Sequence, residues 1–338
     1  MRGLRVGLAL PHYDFSSPDG GPVSWERLSA SAKRAEVLGF HSVWISDHFF
    51  LSLGRYGGPE EPHGAAEPLT ALAGLAVATE RVRLGTLVLS ASFRHPAILA
   101  KAAATIDLLS GGRLDLGLGA GWYEDEYRAF GYDFGSTGER FEVLEESLAV
   151  LGLLFGGEPA TWEGRHFRLR EAYCRPLPVQ KPRPPLWVGG KGGQRLLGIV
   201  ARHADGWNTV WAWTPERYGE RVRALEVACG RERRDPATVR RSLGLYTLVG
   251  EDERDLVARY RALQRWTPGG ALDGELLDDW MVDKLVGTPE RVLERMSSFA
   301  ALGVEEMILS PASLPFALYD ESMLDLIADA VLPAAGNL

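Results

Sequence analysis

The sequence predicts an α/β protein whose fold is a (β/α)8 barrel, the TIM barrel. Short apolar segments with strand character alternate with longer segments of helical spacing about eight times along the 338 residues. The composition does not change between the two halves of the chain. Such alternation indicates a parallel sheet covered by helices, and eight units favour a barrel over an open doubly wound sheet. We therefore expect residues 1–338 to form a single TIM-barrel domain.

The first half of the chain supplies four strand and helix pairs. The predicted strands are residues 4–10, 40–45, 82–89 and 113–118, and the predicted helices are residues 25–38, 69–79, 98–109 and 139–155. Gly39 stands where a glycine C-cap ends the first helix. The glycines and prolines of residues 54–68 predict a loop between the second strand and its helix.

The second half supplies the remaining four pairs. Residues 185–208 predict the fifth strand, a helix and the sixth strand, while residues 240–249 and 306–310 predict the seventh and eighth. Two segments with the sequence Thr-Pro-Glu, at 214–216 and 288–290, predict helix starts, because threonine caps a helix and proline suits its first turn. Two stretches read as insertions, one after strand 4 at about 156–185 and a helical one after strand 7 at about 252–283.

The glycine cluster after the fifth strand is the strongest functional pattern. Four of the five residues at 189–193 are glycines, and they lie between a predicted strand and a predicted helix. Glycines leave backbone amides uncovered, and a helix N-terminus attracts anions, so a phosphate is the expected guest. The alternative is a turn that only lets the helix pack tightly on the sheet. No P-loop motif occurs, and Arg195 interrupts the dinucleotide motif G-x-G-x-x-G.

Three further candidates follow strand ends, where a barrel places its active site. Asp47 and His48 could exchange a proton near neutral pH, or could form an ordinary capping pair. Arg94 could hold an anion or form a surface ion pair. The second glycine cluster, GLGAGWYEDEY, could receive a flat ring against its backbone, or could be a turn whose aromatic residues fill the core.

The net charge and the amino-acid composition argue against several classes of protein. The formal charge of −8 and the pI of about 5.5 argue against a nucleic-acid or anionic-membrane surface. The two cysteines, Cys174 and Cys229, are far apart, and the seven histidines show no metal-ligand spacing, so we expect neither a disulfide framework nor a metal site. The first residues do not form a signal peptide, and no apolar run could span a bilayer, so we expect a cytoplasmic protein.

Four motifs in order resemble the luciferase-like monooxygenase superfamily. They are SDHF after the second strand, LGTLVLSASFRHPAILAK at the third, GRLDLGLGAGWYEDEYRAFG at the fourth, and VGGKGG with ADGWN at the fifth and sixth. The resemblance extends from strand one to strand eight, and is strongest to the branch that uses the deazaflavin coenzyme F420. It implies a TIM barrel, usually homodimeric, that holds the coenzyme ring in its mouth.

The resemblance also implies roles for individual residues. His48 matches a proton-transfer residue, and Asp47 an acid that contacts the coenzyme. Leu87 and Val88 match a bulge where a non-prolyl cis peptide backs the ring. The remaining matches are coenzyme contacts: Ser90, Ala120 and Gly121 around the ring and its chain, Asp125 as a further contact, and Gly192, Gly193, Arg195 and Leu196 around the phosphate.

The substrate implied by the sequence is apolar or aromatic. Trp122 stands where the sugar-phosphate enzymes of the family have a catalytic glutamate, and Val210 stands where they have a phosphate-contacting threonine, so glucose 6-phosphate is not the expected substrate. The expected pocket walls are tryptophans: Trp44, Trp122, Trp207, Trp211 and Trp213.

Three functions are compatible with these residues. The first is an F420-dependent oxidoreductase that moves a hydride to or from a small organic substrate. The second is an FMN-dependent monooxygenase that receives reduced flavin from a partner reductase. The third is a barrel that binds flavin without catalysis.

Overall fold

The structure of the protein is a computed structural model that describes residues 3–338. It contains the eight predicted strands in the predicted order, alternating with helices, and the architecture is a (β/α)8 barrel. The eight strands are β1 (Arg5–Ala9), β2 (Ser42–Ile45), β3 (Arg83–Thr86), β4 (Leu114–Gly119), β5 (Leu186–Gly189), β6 (Gly206–Trp211), β7 (Arg240–Val249) and β8 (Glu306–Ser310).

Twelve α-helices lie among residues 3–338. They are α1 (Trp25–Leu38), α2 (Pro68–Ala78), α3 (Pro96–Leu109), α4 (Glu124–Ala129), α5 (Thr137–Phe155), α6 (Gln194–His203), α7 (Pro215–Arg231), α8 (Glu253–Trp266), α9 (Leu277–Trp280), α10 (Pro289–Ala300), α11 (Ser322–Leu326) and α12 (Leu332–Ala335). Short 3-10 segments occupy Gly54–Tyr56, Pro236–Thr238, Pro268–Gly270 and Met281–Asp283, and a π-helical turn occupies Ile327–Val331.

The chain divides into two compact units that are not contiguous in sequence. The first holds residues 3–66, 209–223 and 241–338, and the second holds residues 67–208 and 224–240. In the first unit β1 pairs in parallel with both β2 and β8, and β8 pairs in parallel with β7. A short strand, Leu285–Gly287, adds to β7. Because the pairing is parallel, the carboxyl ends of β1 and β2 lie at the same edge.

In the second unit β4 pairs in parallel with β3 and β5, and β5 pairs in parallel with the first half of β6. All six residues of β4 are buried, as expected for a parallel strand that is covered on both faces. The predicted third strand is shorter than expected, because it breaks at Leu87–Val88 and resumes as Leu89–Ser90 beside β4.

Two antiparallel hairpins lie in regions for which we predicted loops or turns. Phe50–Ser52 pairs with Pro62–Gly64, and Ala160–Glu163 pairs with Arg168–Ala172. The buried side chain of Leu51 anchors the first hairpin, and that of Leu169 the second. Each strand is too short to show alternation above the glycines and prolines that surround it, so the sequence pattern is that of a loop. The second hairpin lies within the insertion at 156–185, and the insertion at 252–283 is helical, as predicted.

Candidate functional site

Asp47 and His48 follow β2 in the first unit after a single intervening residue, Ser46. The Asp47 side chain is buried, with 4% of the residue exposed, and His48 is half-buried. The parallel register sets Ala9, the last residue of β1, opposite Trp44. The loops that leave β1 and β2 therefore start from the same edge, as predicted for a barrel whose site lies at the carboxyl ends of its strands.

The loop that leaves β1 carries functional candidates that the sequence analysis missed. His12 and Tyr13 are fully or almost fully buried, and each is hydrogen-bonded to Ser46, which precedes Asp47. The His12 Nδ1 lies 2.9 Å from the carbonyl oxygen of Leu10, and its Nε2 lies 2.9 Å from Ser46 Oγ. The rule that a barrel places its active site in the loops after its strand ends applies equally to His12 and Tyr13 and could have found them.

Burial keeps the His12 imidazole neutral. The pKa of the ring falls from 6.5 to about 4, chiefly because the ring is removed from water and to a smaller extent because His48 is near, and hydrogen bonds to the Leu10 and Ser46 backbone only partly oppose this. Because a carbonyl oxygen can only accept, Nδ1 carries the proton and Nε2 is an acceptor.

An aromatic wall in the first unit includes Trp211. Its ring stacks on Tyr246 with centroids 5.3 Å apart, and it meets Phe316 edge-on at 5.2 Å. Burial raises the pKa of the Tyr246 phenol well above its usual value of 10, so it stays protonated. Trp211 itself is half-buried, and it follows Val210 through a cis peptide bond.

The other predicted tryptophan walls divide by burial. Trp44 is 1% exposed, and its Nε1 donates to Ser42 Oγ at 2.7 Å and to Glu306 at 3.3 Å, the first residues of β2 and β8. Trp44 is therefore tied to the amino-terminal edge, opposite to Asp47 and His48. Trp213 is also buried, and donates to the Val210 carbonyl. We leave Trp44 and Trp213 out of the proposed substrate pocket.

Val88 in the second unit is surrounded by glycines. The bond between Leu87 and Val88 is a non-prolyl cis peptide, the bond geometry that the resemblance implies at this position. A Cβ atom added at Gly117, Gly119 or Gly189 would lie 2.7–2.9 Å from a Val88 methyl group. The glycines of β4 and β5 therefore make room for Val88 against the sheet.

The second glycine cluster forms a tight turn after β4. The Ser90 and Tyr127 hydroxyls are hydrogen-bonded at 2.6 Å, and a Cβ at Gly121 would lie 1.9 Å from the Tyr127 oxygen. Gly121 also has a φ of +76°, which favours glycine. Trp122 is 43% exposed, so it does not fill the core. Ala120 is half-buried and Asp125 is exposed in the first turn of α4.

The glycines before α6 serve two purposes. A Cβ at Gly190 would lie 2.8 Å from Leu196 Cδ2, so this glycine lets the helix pack closely on the sheet. Gly193, in contrast, is the N-cap residue with a φ of −67°, and a Cβ there would meet no atom within 4 Å. The packing interpretation thus explains Gly190, whereas Gly193 borders open space.

The start of α6 fits an anionic group. Among residues 3–338, no side chain caps this helix, and the first amides of any helix have no acceptor within it. Gly192 has a φ of +74°, in the turn that leads to the helix. Leu196 is buried, so only its backbone amide could contact a ligand. The Trp207 indole is fully buried and donates to the Gly190 carbonyl at 3.0 Å, which makes it a support of this turn.

Arg195 is the cation nearest in sequence to this helix start. Its side chain is 47% exposed, and its Nη2 lies 3.6 Å from Glu142 Oε1. The same carboxylate is closer to Arg165, at 2.7 Å, and to His166, at 3.2 Å. Arg195 is thus the most weakly held of the three partners and could turn to an arriving anion at little cost.

Arg94 forms an ion pair with Glu67 at 2.6 Å. Of the two interpretations of this arginine, the ion pair is therefore the one that the structure supports. Within residues 3–338, no cluster of three histidine, cysteine, aspartate or glutamate side chains has the arrangement of a metal site. Nor does any helix of that range combine the length and apolarity needed to cross a membrane.

The first unit contains two cavities. One of about 540 Å³ is lined by residues that include Asp14, His63 and Trp266, and one of about 850 Å³ by residues that include Tyr13 and Tyr319. Neither is lined by a residue that the sequence analysis proposed for catalysis or coenzyme binding.

The chain belongs to the luciferase-like monooxygenase family, whose model matches residues 4–306. An F420-dependent hydroxymycolic acid dehydrogenase of Mycobacterium tuberculosis is 28% identical over 97% of this chain and 87% of that protein. An F420-dependent glucose-6-phosphate dehydrogenase of Microbacterium testaceum is 34% identical over 65% of this chain. That second match spans 60% of the relative's own length, less than two thirds.

A solved structure supports the fold over the whole chain. An F420-dependent secondary alcohol dehydrogenase, in complex with an F420-acetone adduct, superposes with a TM-score of 0.76 over 99% of both chains, at 22% identity. At that identity the likeness establishes the fold that the two proteins share.

Proposed function

We propose that this protein is an oxidoreductase that transfers a hydride between coenzyme F420, an 8-hydroxy-5-deazaflavin, and a small organic substrate. The observation that carries the binding of a phosphate-bearing coenzyme is the open start of α6, where Gly193 caps the helix without a side chain and borders empty space. A phosphate there would meet backbone amides and the positive end of the helix dipole. Membership of the luciferase-like family and the F420-dependent relatives supports this choice of coenzyme.

The residues of the chain have distinct roles in this proposal. Gly192, Gly193, Arg195 and the Leu196 amide would hold the phosphate of the coenzyme. The contacts of the ring and its chain would be Leu87, Val88, Ser90, Ala120 and Gly121, and Asp125 would be a further contact of the coenzyme. When bound, the coenzyme supplies the hydride chemistry. His48 donates the proton to the substrate oxygen or accepts it from there, and Asp47 orients His48 and contacts the coenzyme.

The substrate in this proposal is apolar or aromatic. Trp122 is 43% exposed, and Trp211 is half-buried beside Tyr246, so both can offer ring surface to a ligand. Trp207, which we expected as a wall of the substrate pocket, has a different role in this proposal. It supports the turn at Gly190 through its hydrogen bond. Trp122 and Val210 replace the polar residues that the family's sugar-phosphate enzymes use, so we propose a substrate other than glucose 6-phosphate.

An FMN-dependent monooxygenase is the second candidate, because the family that the chain belongs to is named for monooxygenases. The phosphate site at α6 would suit FMN as well as F420, since both carry a phosphate. We also propose that the protein is cytoplasmic and a homodimer, as in the F420-dependent branch it resembles. Light scattering that gave the mass of a single 37.0 kDa chain would contradict the dimer.

Coenzyme titration tests the proposal. We expect F420 to change its absorption spectrum on binding and to bind more tightly than FMN. A ligand at a hundred times its Kd should stabilise the fold by about 2.7 kcal/mol, which thermal melting would detect. Arg195→Ala should weaken binding, whereas Arg168→Ala, which removes an exposed arginine of the hairpin, should not.

Tight binding of FMN alone would favour the monooxygenase, and coenzyme binding without turnover of any alcohol, aldehyde or ketone would favour a non-catalytic barrel.

A further inference from the structure

The carboxyl ends of β1 and β2 are joined by a buried chain of hydrogen bonds. It runs from the Leu10 carbonyl through His12 and Ser46 to the Tyr13 hydroxyl, with distances of 2.9, 2.9 and 2.5 Å. His12 is 0% exposed, Tyr13 2% and Ser46 4%. Water therefore does not compete for these bonds, and we call this set of side chains, His12, Ser46 and Tyr13, the relay.

The chemistry of the groups fixes the direction of every bond in the relay. The Leu10 carbonyl only accepts, so His12 donates through Nδ1 and must accept through Nε2. Ser46 therefore gives its single hydroxyl proton to His12. Tyr13 must then give its single proton to Ser46. With its proton committed, the Tyr13 oxygen can act only as an acceptor toward any further partner.

The relay holds the chain segment that carries the proposed catalytic pair. The backbone amide of Ser46 points at His12 Nε2 at 3.3 Å, and Asp47 and His48 are the next two residues. The rings of Tyr13 and His48 have centroids 6.3 Å apart. Both the main chain before Asp47 and one neighbour of the His48 ring are thus fixed by the same buried bonds.

We propose that His12, Ser46 and Tyr13 are positioning residues that hold Asp47 and His48 in the geometry needed for proton transfer. The inference rests on the proposed function, in which His48 moves the proton. None of the three residues needs to touch the substrate or the coenzyme. Misplacement of a catalytic group by about 1 Å can cost a hundredfold in rate, so loss of the relay should lower the rate of proton transfer and leave binding intact.

The chain offers a matched control in Ser16. This serine is also buried, at 1% exposed, and is hydrogen-bonded to the Tyr13 main chain at 2.7 and 2.9 Å, outside the relay. Tyr13→Phe and Ser46→Ala break the relay, while Ser16→Ala removes a buried hydroxyl of the same kind. We expect the first two to lower kcat by about ten- to a hundredfold, with KM and the F420 Kd within about twofold of the wild type. Ser16→Ala should keep the wild-type kcat.

A second readout does not depend on activity. In 15N-edited NMR of the protein without coenzyme, wild-type His12 should show a protonated Nδ1 and an unprotonated Nε2. Tyr13→Phe and Ser46→Ala should shift the His48 ring resonances, and Ser16→Ala should leave them in place. Unchanged His48 resonances in both relay variants, or a kcat equal to that of Ser16→Ala, would overturn the inference. Failure of the wild type to bind F420 would instead overturn the proposed function, and the NMR comparison would still decide on the relay.

Discussion

Several polar side chains are buried at the strand ends of the first unit, and hydrogen bonds make their burial possible. His12 is completely buried, yet both of its ring nitrogens have hydrogen-bond partners. These hydrogen bonds matter because a buried polar group without a partner lowers the stability of the fold by about 1–3 kcal/mol. At the same strand ends Asp47 is buried and His48 half-buried. A site that moves protons benefits from such rigid surroundings.

Replacement of His48 by alanine should lower kcat by about two to four orders of magnitude, the usual contribution of a general acid or base. Binding of F420 should remain within about threefold, since in the proposal the phosphate is held by α6. Stopped-flow measurement of coenzyme reduction or oxidation would follow this. His203→Gln, at the C-terminal end of α6, is the control. Equal rates in His48→Ala and wild type would rule out the assigned role.

The buried His12 should make the protein less stable in mild acid. Its pKa is about 4 in the folded protein, against 6.5 for an exposed histidine, so between these values the unfolded chain binds the extra proton. The contribution of the neutral His12 to the free energy of unfolding is therefore fully present above pH 6.5 and is lost as the pH falls toward 4. The loss amounts to at most about 1.4 kcal/mol per pH unit. Urea unfolding at pH 7 and pH 5 would measure this, with His12→Gln as the comparison. A pH dependence as steep in the variant as in the wild type would contradict the assignment.

At the scale of secondary-structure elements, the glycines that precede helix α6 differ in what they are needed for. Gly190 is needed for packing, whereas Gly193 is accessible to a ligand. Leu196 packs on Gly190, and the far end of α6 is held by Arg234, whose guanidinium donates to the Val200, Ala201 and Ala204 carbonyls. A positive side chain there also complements the negative end of the helix dipole. The helix is thus fixed on the second unit, with its N-terminus open.

Two glycine substitutions should behave differently. Gly193→Ala should fold with nearly the wild-type melting temperature, because its φ is −67° and no atom lies within 4 Å of the new Cβ, but it should weaken coenzyme binding by filling the space before α6. Gly121→Ala should destabilise the fold, because a φ of +76° alone costs about 1–2 kcal/mol for alanine. Melting curves and F420 titrations would be compared. Unaltered F420 affinity in Gly193→Ala would remove α6 as the phosphate site.

The hairpin after α5 should loosen in acid. The Glu146 carboxylate accepts hydrogen bonds from the backbone amides of Arg165, His166 and Phe167 at the hairpin turn. Partial burial raises its pKa, but these bonds outweigh that effect and leave the pKa below 4.5. A lowered pKa means that the stabilisation is present above pH 4.5 and is lost as the pH falls through the folded value.

Limited proteolysis at neutral and at acid pH, with a protease that is active at both, would measure this effect. We expect Glu146→Gln to expose the hairpin to cleavage at neutral pH, where the wild type is protected, and to remove the pH dependence. Glu163→Gln, an exposed residue of the same hairpin, should behave as the wild type. Identical cleavage of both variants would show that Glu146 does not hold the turn.

At the scale of the whole molecule, the (β/α)8 fold was predictable because its signal is local and repeated. Strand and helix periods recur eight times, and caps such as Ser24, whose side chain accepts from Arg27, mark where helices begin. Family membership is shown by the family model that matches residues 4–306, and the motifs that indicated it are short segments of sequence. Neither inference needed a contact between residues distant in sequence.

The amino-acid sequence by itself determined the order of strands and helices, the glycines before α6 and the Asp47–His48 pair, because each is set by short-range periodicity or by the backbone freedom of glycine. Only the tertiary structure decided that Trp44 faces the amino-terminal edge, that Gly190 serves packing while Gly193 borders open space, and that His12 and Ser46, 34 positions apart, share a hydrogen bond. Contacts of this kind depend on the packing of segments remote in sequence, and side-chain type alone does not encode them.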